Sequence, residues 1–292
     1  MLFAFLATGA DIVVSSRFLG ADRGVHVRLP PSYEKEPQRR YPVLYLHDGQ
    51  NVFTSAGTNV AFGWGNWELD KTAAELAQAG KMREIILVGV DNSRARLPEY
   101  SGLSRGTNVG VPTPFDNYSS FLIQELKPKI DAEYRTEPGP ATTGVMGSSL
   151  GGICSLALAW NHPEVFGCAA SFSGSFQVDH TNFLVNILRP YQGTPKPFRL
   201  HIDSGVIDFT GGDDGRSLTD QVAAELRRIG WKAELQHYTD SHPLTEAELT
   251  QSGLRRDKWR EAQTSQHNEF YWRLRAWRAL TFMFPTNGPG HP

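Results

Sequence analysis

The chain has few cysteines, little net charge and no long apolar run, and each shortage excludes a class of protein. With only two cysteines in 292 residues, neither a disulfide framework nor a cysteine metal cluster is expected. A formal net charge of −2 gives no reason to expect nucleic acid as a partner. No apolar stretch approaches the length that crosses a bilayer, so no membrane partner is expected either. The remaining composition, 40% hydrophobic and 21% charged, is ordinary for a folded domain.

The first ten residues are apolar but short, and they lack the basic region that begins a signal peptide. We therefore predict a cytoplasmic protein, with an exported protein that retains part of a signal peptide as the alternative. Cys154 and Cys168 lie in apolar segments, which favours small buried residues, although a pairing between them stays open.

Segments typical of strands alternate with segments typical of helices along the chain. Residues 12–18 and 25–29 alternate in polarity and predict an antiparallel hairpin at the edge of a sheet. Buried strands are predicted at 42–47, 84–90, 142–146, 166–172, 198–202 and 233–238, and helices at 69–79, 118–134, 150–160, 218–229 and 270–284. This order predicts one α/β domain over residues 1–292, with a mostly parallel sheet and helices on both faces.

Three segments resemble insertions on this core: 51–67, 92–116 and 239–266. In an open α/β sheet, the loops at the carboxyl ends of the strands form the binding site. These segments are therefore candidates for its walls.

The most informative segment is Gly147-Ser-Ser149-Leu-Gly151, a G-x-S-x-G motif between a predicted strand and a predicted helix. This context is the one that a nucleophile elbow requires, because a sharp turn there exposes the serine at the start of the helix. We predict Ser149 as a nucleophile; the alternative is an ordinary turn rich in glycine and serine.

A serine nucleophile needs an imidazole to accept its proton and a carboxylate to orient that imidazole, in the chain order serine, acid, histidine. His267, directly before the last helix, is the preferred base, and His242 is the alternative. Asp208, which follows a strand and a turn, is the preferred acid, and the pair Asp213 and Asp214 is the alternative. The spacing of these aspartates does not match a calcium loop.

An oxyanion hole needs two N–H donors. One should come from Leu150, directly after the nucleophile, and the other from Gln50, where Gly49 lets the backbone approach closely. The neighbouring Asp48 and Asn51 are either structural or in contact with substrate.

The loop after this segment is rich in aromatic residues. Trp64 and Trp67, with Phe53 and Phe62, could stack on a sugar or a phenolic alcohol, or pack the loop itself.

Several motifs together resemble the putative-esterase group of α/β-hydrolases, which includes esterase D, enterochelin esterases, acetylxylan and feruloyl esterases, and mycolyltransferases. The motifs are Tyr45-Leu-His-Asp-Gly-Gln-Asn-Val-Phe53, Arg96-Leu-Pro-Glu-Tyr100, Phe121-Leu-Ile-Gln-Glu-Leu-Lys-Pro128, Gly147-Ser-Ser-Leu-Gly-Gly152, Ser171-Phe-Ser-Gly-Ser175 and His267-Asn-Glu-Phe-Tyr-Trp272. The resemblance covers residues 18–284, and it is the combination of motifs that is specific.

The resemblance implies an α/β-hydrolase fold, with Ser149 as nucleophile, His267 as base, Asp208 as acid, and Gln50 and Leu150 as oxyanion donors. The chain departs from the group by an insertion, 239–266, between the last strand and His267. This insertion keeps His242 as an alternative base and suggests a lid. Within this insertion, Trp259 is the residue expected to turn towards substrate.

The expected function is that of a serine carboxylic-ester hydrolase that works through an acyl-enzyme on esters with short or aromatic acyl groups, including esters of carbohydrates or phenolics. The expected partner is a small-molecule ester, and neither a metal nor an organic cofactor is expected. An acyltransferase that uses the same triad, and a non-catalytic binding protein with a hydrolase fold, are the alternatives.

Overall fold

A computed structural model describes residues 9–103, 111–240 and 242–287, and the prediction for the N-terminal segment falls mostly outside them. Eight strands form one sheet in the order β1-β2-β4-β3-β5-β6-β7-β8. Their bounds are β1 Asp11–Ser16, β2 Ala21–Arg28, β3 Val43–His47, β4 Ile86–Val90, β5 Thr143–Ser148, β6 Cys168–Phe172, β7 Arg199–Ser204 and β8 Leu235–Thr239.

The strand directions confirm the predicted mostly parallel sheet. β2 pairs antiparallel with both β1 and β4, and every other neighbouring pair is parallel. The predicted hairpin is thus confirmed at one edge of the sheet. β3, β4, β5 and β6 are buried along their whole length, which explains why the sequence shows them as continuous apolar runs.

Ten α-helices lie in the described residues: α1 Leu69–Gln78, α2 Arg96–Tyr100, α3 Pro114–Ser120, α4 Lys127–Glu133, α5 Leu150–Asn161, α6 Val178–Asn182, α7 Arg216–Ile229, α8 Glu246–Ser252, α9 Trp259–Ala262 and α10 Glu269–Met283. A π-helical segment, Phe121–Leu126, joins α3 to α4, so these three segments together correspond to the predicted helix 118–134. The helix begins four residues earlier than predicted, at Pro114, and Thr113 caps its start. Within the insertion 239–266, α8 ends at Gly253, whose φ is 73°.

Apolar cores cover both faces of the sheet. Successive residues of β3 point to opposite sides, so that Val43 and Tyr45 belong to one core and Leu44 and Leu46 to the other. The first core also contains the apolar face of α5 and α7, and the second contains residues of α1 and α10. This layered arrangement is the α/β-hydrolase fold that the resemblance implied.

The two cysteines are buried and unpaired. Cys154 belongs to the first core and Cys168 to the second, so the sheet lies between them. Across the described ranges, no helix combines the length and the apolar character that a membrane crossing requires.

Candidate active site

The turn between β5 and α5 holds Ser149 in a strained backbone conformation. Its φ is 55° and its ψ is −121°, a region that residues other than glycine seldom adopt. Backbone groups at the end of β6 and directly after it hold this turn. The N–H of Ser149 donates to the carbonyl of Phe172 at 2.8 Å, and its carbonyl accepts from the N–H of Ser175 at 2.9 Å.

Close packing around the elbow explains its glycines. A Cβ on Gly147 would lie 2.8 Å from the carbonyl carbon of Gly151. A Cβ on Gly152 would lie 2.7 Å from Ser171 Oγ and 3.0 Å from the Cα of Gly174. These distances are shorter than ordinary van der Waals contacts, so a side chain at either position would force the turn apart. The motif therefore has the structural context that its sequence predicts.

His267 lies directly before α10 and contacts a buried carboxylate. Its Nδ1 is 2.6 Å from Oδ1 of Asp214, whose side chain is fully buried. The ring of Trp272 packs edge-on against the imidazole at 5.1 Å between ring centroids. Asn268 caps the helix by accepting from the N–H of Tyr271. The cap and the ring contact fix the position of the histidine relative to the helix.

Asp208, the preferred acid from the sequence, does not contact His267 by a hydrogen bond. Its carboxylate instead closes an exposed turn, where it accepts from the N–H groups of Thr210 at 2.8 Å and Gly212 at 2.9 Å. The residue at the imidazole is Asp214, one of the two alternatives. The expectation for Asp208 is therefore corrected: the glycine-rich segment after β7 turns back, and its end rather than its start reaches the histidine.

The two adjacent aspartates of this segment have different roles. Asp213 is exposed and accepts from the N–H of Ser217 in the first turn of α7. Asp214 has a φ of 53°, which turns its side chain inward. Its second oxygen, Oδ2, accepts from the N–H of Gly205 at 2.5 Å and from the hydroxyl of Ser173 at 2.6 Å. Sequence reasoning missed Ser173, which lay unassigned in the Ser171–Ser175 motif.

His242, the alternative base, lies apart from this arrangement. It is exposed, and its Nδ1 is 2.8 Å from the carbonyl oxygen of Pro243. The structure thus brings His267, and not His242, to the acid.

Ser149 and His267 line the same cavity, but no hydrogen bond joins them in the structure. The hydroxyl of Ser149 is instead 3.1 Å from that of Ser175, a second residue that the sequence did not reveal. Hydrogen bonds between a nucleophile and its base are often long or absent until substrate binds.

The two predicted oxyanion donors lie at the starts of short helical segments. Leu150 is the first residue of α5, where backbone N–H groups have no partner within the helix. Gln50 lies in a 3₁₀ turn, Gly49–Asn51, that follows Asp48 in a left-handed conformation. Neither N–H donates a hydrogen bond to any described residue. A Cβ on Gly49 would lie 2.5 Å from the carbonyl carbon of Gly89, so this close approach requires glycine.

The carboxylate of Asp48 is engaged within the protein. It accepts two hydrogen bonds from Arg96, at 2.7 Å each, and one from Asn92 at 2.6 Å. Asp48 does not line the cavity, and these contacts support the structural alternative for this residue. Asn51 is outside the cavity lining as well; its carbonyl accepts from the N–H of Trp67 at 3.0 Å.

A cavity of about 570 Å³ adjoins Ser149 and His267. Its wall consists of Phe62, Trp64, Ser149, Phe209, Lys258, Glu261, Thr264, Ser265, His267, Glu269 and Trp272. Trp64 thus lies at the cavity, and its stacking on a substrate stays a prediction. Trp67 is not, because it is 3% exposed and packs between Phe172 and Trp272.

The insertion 239–266 supplies one side of this cavity through Lys258, Glu261, Thr264 and Ser265. It packs on the domain through a small third core that contains Leu249, Ala262, Phe270 and Tyr271. Trp259 packs against this core, and its Nε1 donates to the carbonyl of Leu254. The residue that faces the cavity is therefore its neighbour Lys258, contrary to the expectation for Trp259.

Charged groups in the cavity wall differ in their surroundings. The ammonium of Lys258 lies 4.9 Å from the centre of the Trp64 ring and 3.0 Å from Glu261. Burial raises the pKa of the Glu269 carboxyl from 4.5 to about 7, and the nearby Asp48 carboxylate acts in the same direction. The residue's own backbone N–H, Arg96 and Asn51 only partly offset this effect. Glu269 is therefore a carboxyl that is largely protonated below neutral pH.

Buried His47 supports the loop that carries Gln50. Its Nδ1 forms a hydrogen bond of 2.9 Å with the hydroxyl of Tyr118, and its ring packs on Tyr100. Burial lowers the pKa of His47 to about 4, so the imidazole is neutral at physiological pH.

Among the described residues, no group of three or more His, Cys, Asp or Glu side chains is arranged to hold a metal ion.

The layered fold and a serine at a nucleophile elbow, with a histidine and an aspartate in contact nearby, define an α/β-hydrolase. The family model described as Putative esterase matches residues 16–279. The chain belongs to this esterase family.

Two relatives of the chain have names that include esterase. The chain is 33% identical over 156 residues to Esterase Rv1288 of Mycobacterium tuberculosis, a match that covers 53% of this chain and 30% of that protein. It is 27% identical over 172 residues to an endo-1,4-beta-xylanase/feruloyl esterase of Xylanibacter ruminicola, covering 54% and 20%. It therefore spans less than a third of either protein.

Two solved structures share the fold at low sequence identity. A ferulic acid esterase superposes with a TM-score of 0.68 at 16% identity, covering 97% of this chain and 100% of that one. The enterobactin esterase FES of Shigella flexneri superposes with a TM-score of 0.68 at 18% identity, covering 95% and 58%.

Proposed function

We propose that the protein is a serine carboxylic-ester hydrolase that works through an acyl-enzyme. The observation that carries this proposal is the 2.6 Å contact between His267 and the buried Asp214, next to a cavity that Ser149 also lines. A serine in a strained elbow has no evident structural use, whereas strain at such a turn is typical of a catalytic nucleophile.

The proposed reaction begins when Ser149 Oγ attacks the ester carbonyl carbon. Nε2 of His267 accepts the serine proton, while Asp214 holds Nδ1–H and stabilises the imidazolium that forms. The N–H groups of Leu150 and Gln50 donate to the oxygen of the tetrahedral intermediate. The imidazolium then gives its proton to the departing alcohol. Water, activated by His267, attacks the acyl-enzyme and releases the acid.

The cavity supports a substrate with a short or aromatic acyl group. Phe62, Trp64, Phe209 and Trp272 give its wall flat apolar surfaces, and a volume of about 570 Å³ suits a small organic ester. The names of a feruloyl-esterase relative and of two fold neighbours, a ferulic acid esterase and an enterobactin esterase, point in the same direction. Esters of aromatic acids with sugars or phenols are the first compounds to assay.

The test combines fluorophosphonate labelling, with mapping of the labelled residue, and turnover of p-nitrophenyl acetate and butyrate. We expect label on Ser149 and none in Ser149→Ala. Two matched pairs then assign the other roles. Asp214→Asn should lower kcat on the order of 10³- to 10⁴-fold, and Asp208→Asn should leave it nearly unchanged. His267→Ala should abolish turnover, and His242→Ala should not.

Two experimental outcomes would contradict the proposal. Loss of turnover in Asp208→Asn with retention in Asp214→Asn would reverse the assignment of the acid. A wild-type protein that is folded but neither labels nor hydrolyses any ester would favour the non-catalytic binding protein.

A further inference from the structure

The hydroxyl of Ser173 forms three hydrogen bonds behind the acid. Its Oγ is 2.6 Å from Asp214 Oδ2, 3.1 Å from Trp272 Nε1 and 3.0 Å from Arg275 Nη2. The residue is 1% exposed and has a φ of 44°, a conformation that disfavours any residue except glycine. A serine in this conformation must be held there by its surroundings.

The partners of Ser173 determine where its proton goes. Indole Nε1–H and guanidinium N–H groups can only donate hydrogen bonds, so Ser173 Oγ accepts from both Trp272 and Arg275. A hydroxyl has two acceptor positions and one proton. With both acceptor positions filled, the proton can only be donated to Asp214, at 2.6 Å. The direction of the hydrogen bond from Ser173 to Asp214 is therefore fixed, because Trp272 Nε1 and Arg275 Nη2 cannot act as acceptors.

Helix α10 carries both donors together with the base. Trp272 and Arg275 are three residues apart and so lie on one face of the helix, and His267 lies directly before its first turn. Arg275 is held in place by Asp203 at 3.3 Å and Asp240 at 3.1 Å. Trp272 also contacts the His267 ring and lines the cavity. One rigid element thus positions the imidazole and, through Ser173, the carboxylate that orients it.

We propose that Ser173 is a positioning residue of the active site, which fixes the rotation of the Asp214 carboxylate so that Oδ1 faces His267 Nδ1. The proposal rests on the proposed function for its effect on turnover. Without the Ser173 hydroxyl, Oδ2 keeps only the N–H of Gly205, and the carboxylate gains freedom to rotate away from the imidazole. Hydrogen bonds to a charged group are strong enough that we expect kcat to fall about 10- to 100-fold, with KM nearly unchanged.

The experiment compares Ser173→Ala and Ser173→Gly with a matched control, Ser171→Ala. Glycine suits a φ of 44°, so Ser173→Gly removes the hydroxyl without adding backbone strain. Ser171 is buried two residues earlier, and its hydroxyl has no hydrogen-bond partner among the described residues. Trp272→Phe, which keeps a ring and removes one donor, should have a smaller effect in the same direction.

Two readouts separate positioning from a general loss of structure. The first is kcat against KM for p-nitrophenyl acetate. The second is the downfield proton NMR resonance of His267 Nδ1–H, identified by its loss in His267→Gln. We expect both Ser173 variants to lower kcat and to shift or broaden this resonance, while Ser171→Ala changes neither.

The resonance does not depend on turnover, so it separates this proposal from the proposed function. If the wild type is inactive but the resonance shifts in the Ser173 variants, the esterase assignment fails and the positioning role stands. An unchanged resonance and kcat in folded Ser173→Gly would overturn the positioning role and leave the esterase intact.

Discussion

Replacement of Glu269 by glutamine should make the protein more stable at alkaline pH and leave it unchanged at acidic pH. Glu269 lines the cavity, and burial raises the pKa of its carboxyl from 4.5 to about 7. The folded protein therefore holds this proton more tightly than the unfolded chain does. The contribution of this carboxyl to the stability of the folded protein is fully present below about pH 4.5. It is lost as the pH rises through 7, because folding then buries a charged carboxylate.

The magnitude follows from the difference between the two pKa values. From 4.5 to 7, at 1.36 kcal/mol for each pH unit, the charged carboxyl destabilises the folded state by about 3 kcal/mol above pH 7. Glutamine has nearly the same shape and remains neutral, so Glu269→Gln removes this penalty. The stability of the variant relative to wild type should rise by about 3 kcal/mol between pH 4.5 and pH 8.

Urea unfolding of both proteins at pH 4.5, 6 and 8 and constant ionic strength measures this difference. Glu261→Gln is the matched control, because Glu261 lines the same cavity but is exposed and pairs with Lys258. The control should show no comparable trend with pH. If Glu269→Gln stayed within about 0.5 kcal/mol of wild type at all three pH values, burial would not control the ionisation of Glu269, and the reasoning would be refuted.

Other substitutions test the packing of the fold. Gly152→Ala should lower the free energy of unfolding by about 1–3 kcal/mol in urea titrations, because its Cβ would lie 2.7 Å from a side-chain oxygen. Gly139→Ala, with no atom within 4 Å of the added Cβ, should be neutral or stabilising, and equal losses would contradict the packing argument. Cys154 and Cys168 should react with a thiol reagent only after unfolding, since both are buried; rapid labelling of native protein would disprove this. Arg275→Met should cost about 3–5 kcal/mol by thermal or urea unfolding, because it leaves the buried Asp203 carboxylate without its guanidinium partner, and a neutral result would show that this charge is solvated.

The strands and the elbow could be predicted because their signals are local. Continuous apolar runs such as β4 follow from burial on both faces, and the glycines around Ser149 follow from a turn whose backbone segments touch. His267 could be selected because it precedes the last helix of the chain. These features depend on the order of residues along the sequence.

The acid could not be chosen with the same certainty, because its identity depends on how one turn folds back. Asp208 and Asp214 lie in the same polar, glycine-rich segment, and only the inward turn at Asp214 buries one of them. Trp64 and Trp67 are only three positions apart, yet Trp64 lines the cavity and Trp67 is buried in the core, which again depends on how the loop folds. Ser173 gave no signal, since its role depends on contacts with residues about 40 and 100 positions further along the chain.

The hydrogen bonds that hold Ser149 to the segment after β6 imply an uneven distribution of local opening. The amides of Ser149 and Ser175 donate within the central sheet region, so their hydrogen exchange should require unfolding of most of the domain. The part of the cavity wall that the insertion 239–266 supplies packs on the domain through a small satellite core around Leu249 and Tyr271, whose opening need not disturb the sheet. Substitutions in the insertion can therefore change the shape of that wall, and with it the ester that the cavity accepts, while the backbone of Ser149 stays as rigid as the central sheet.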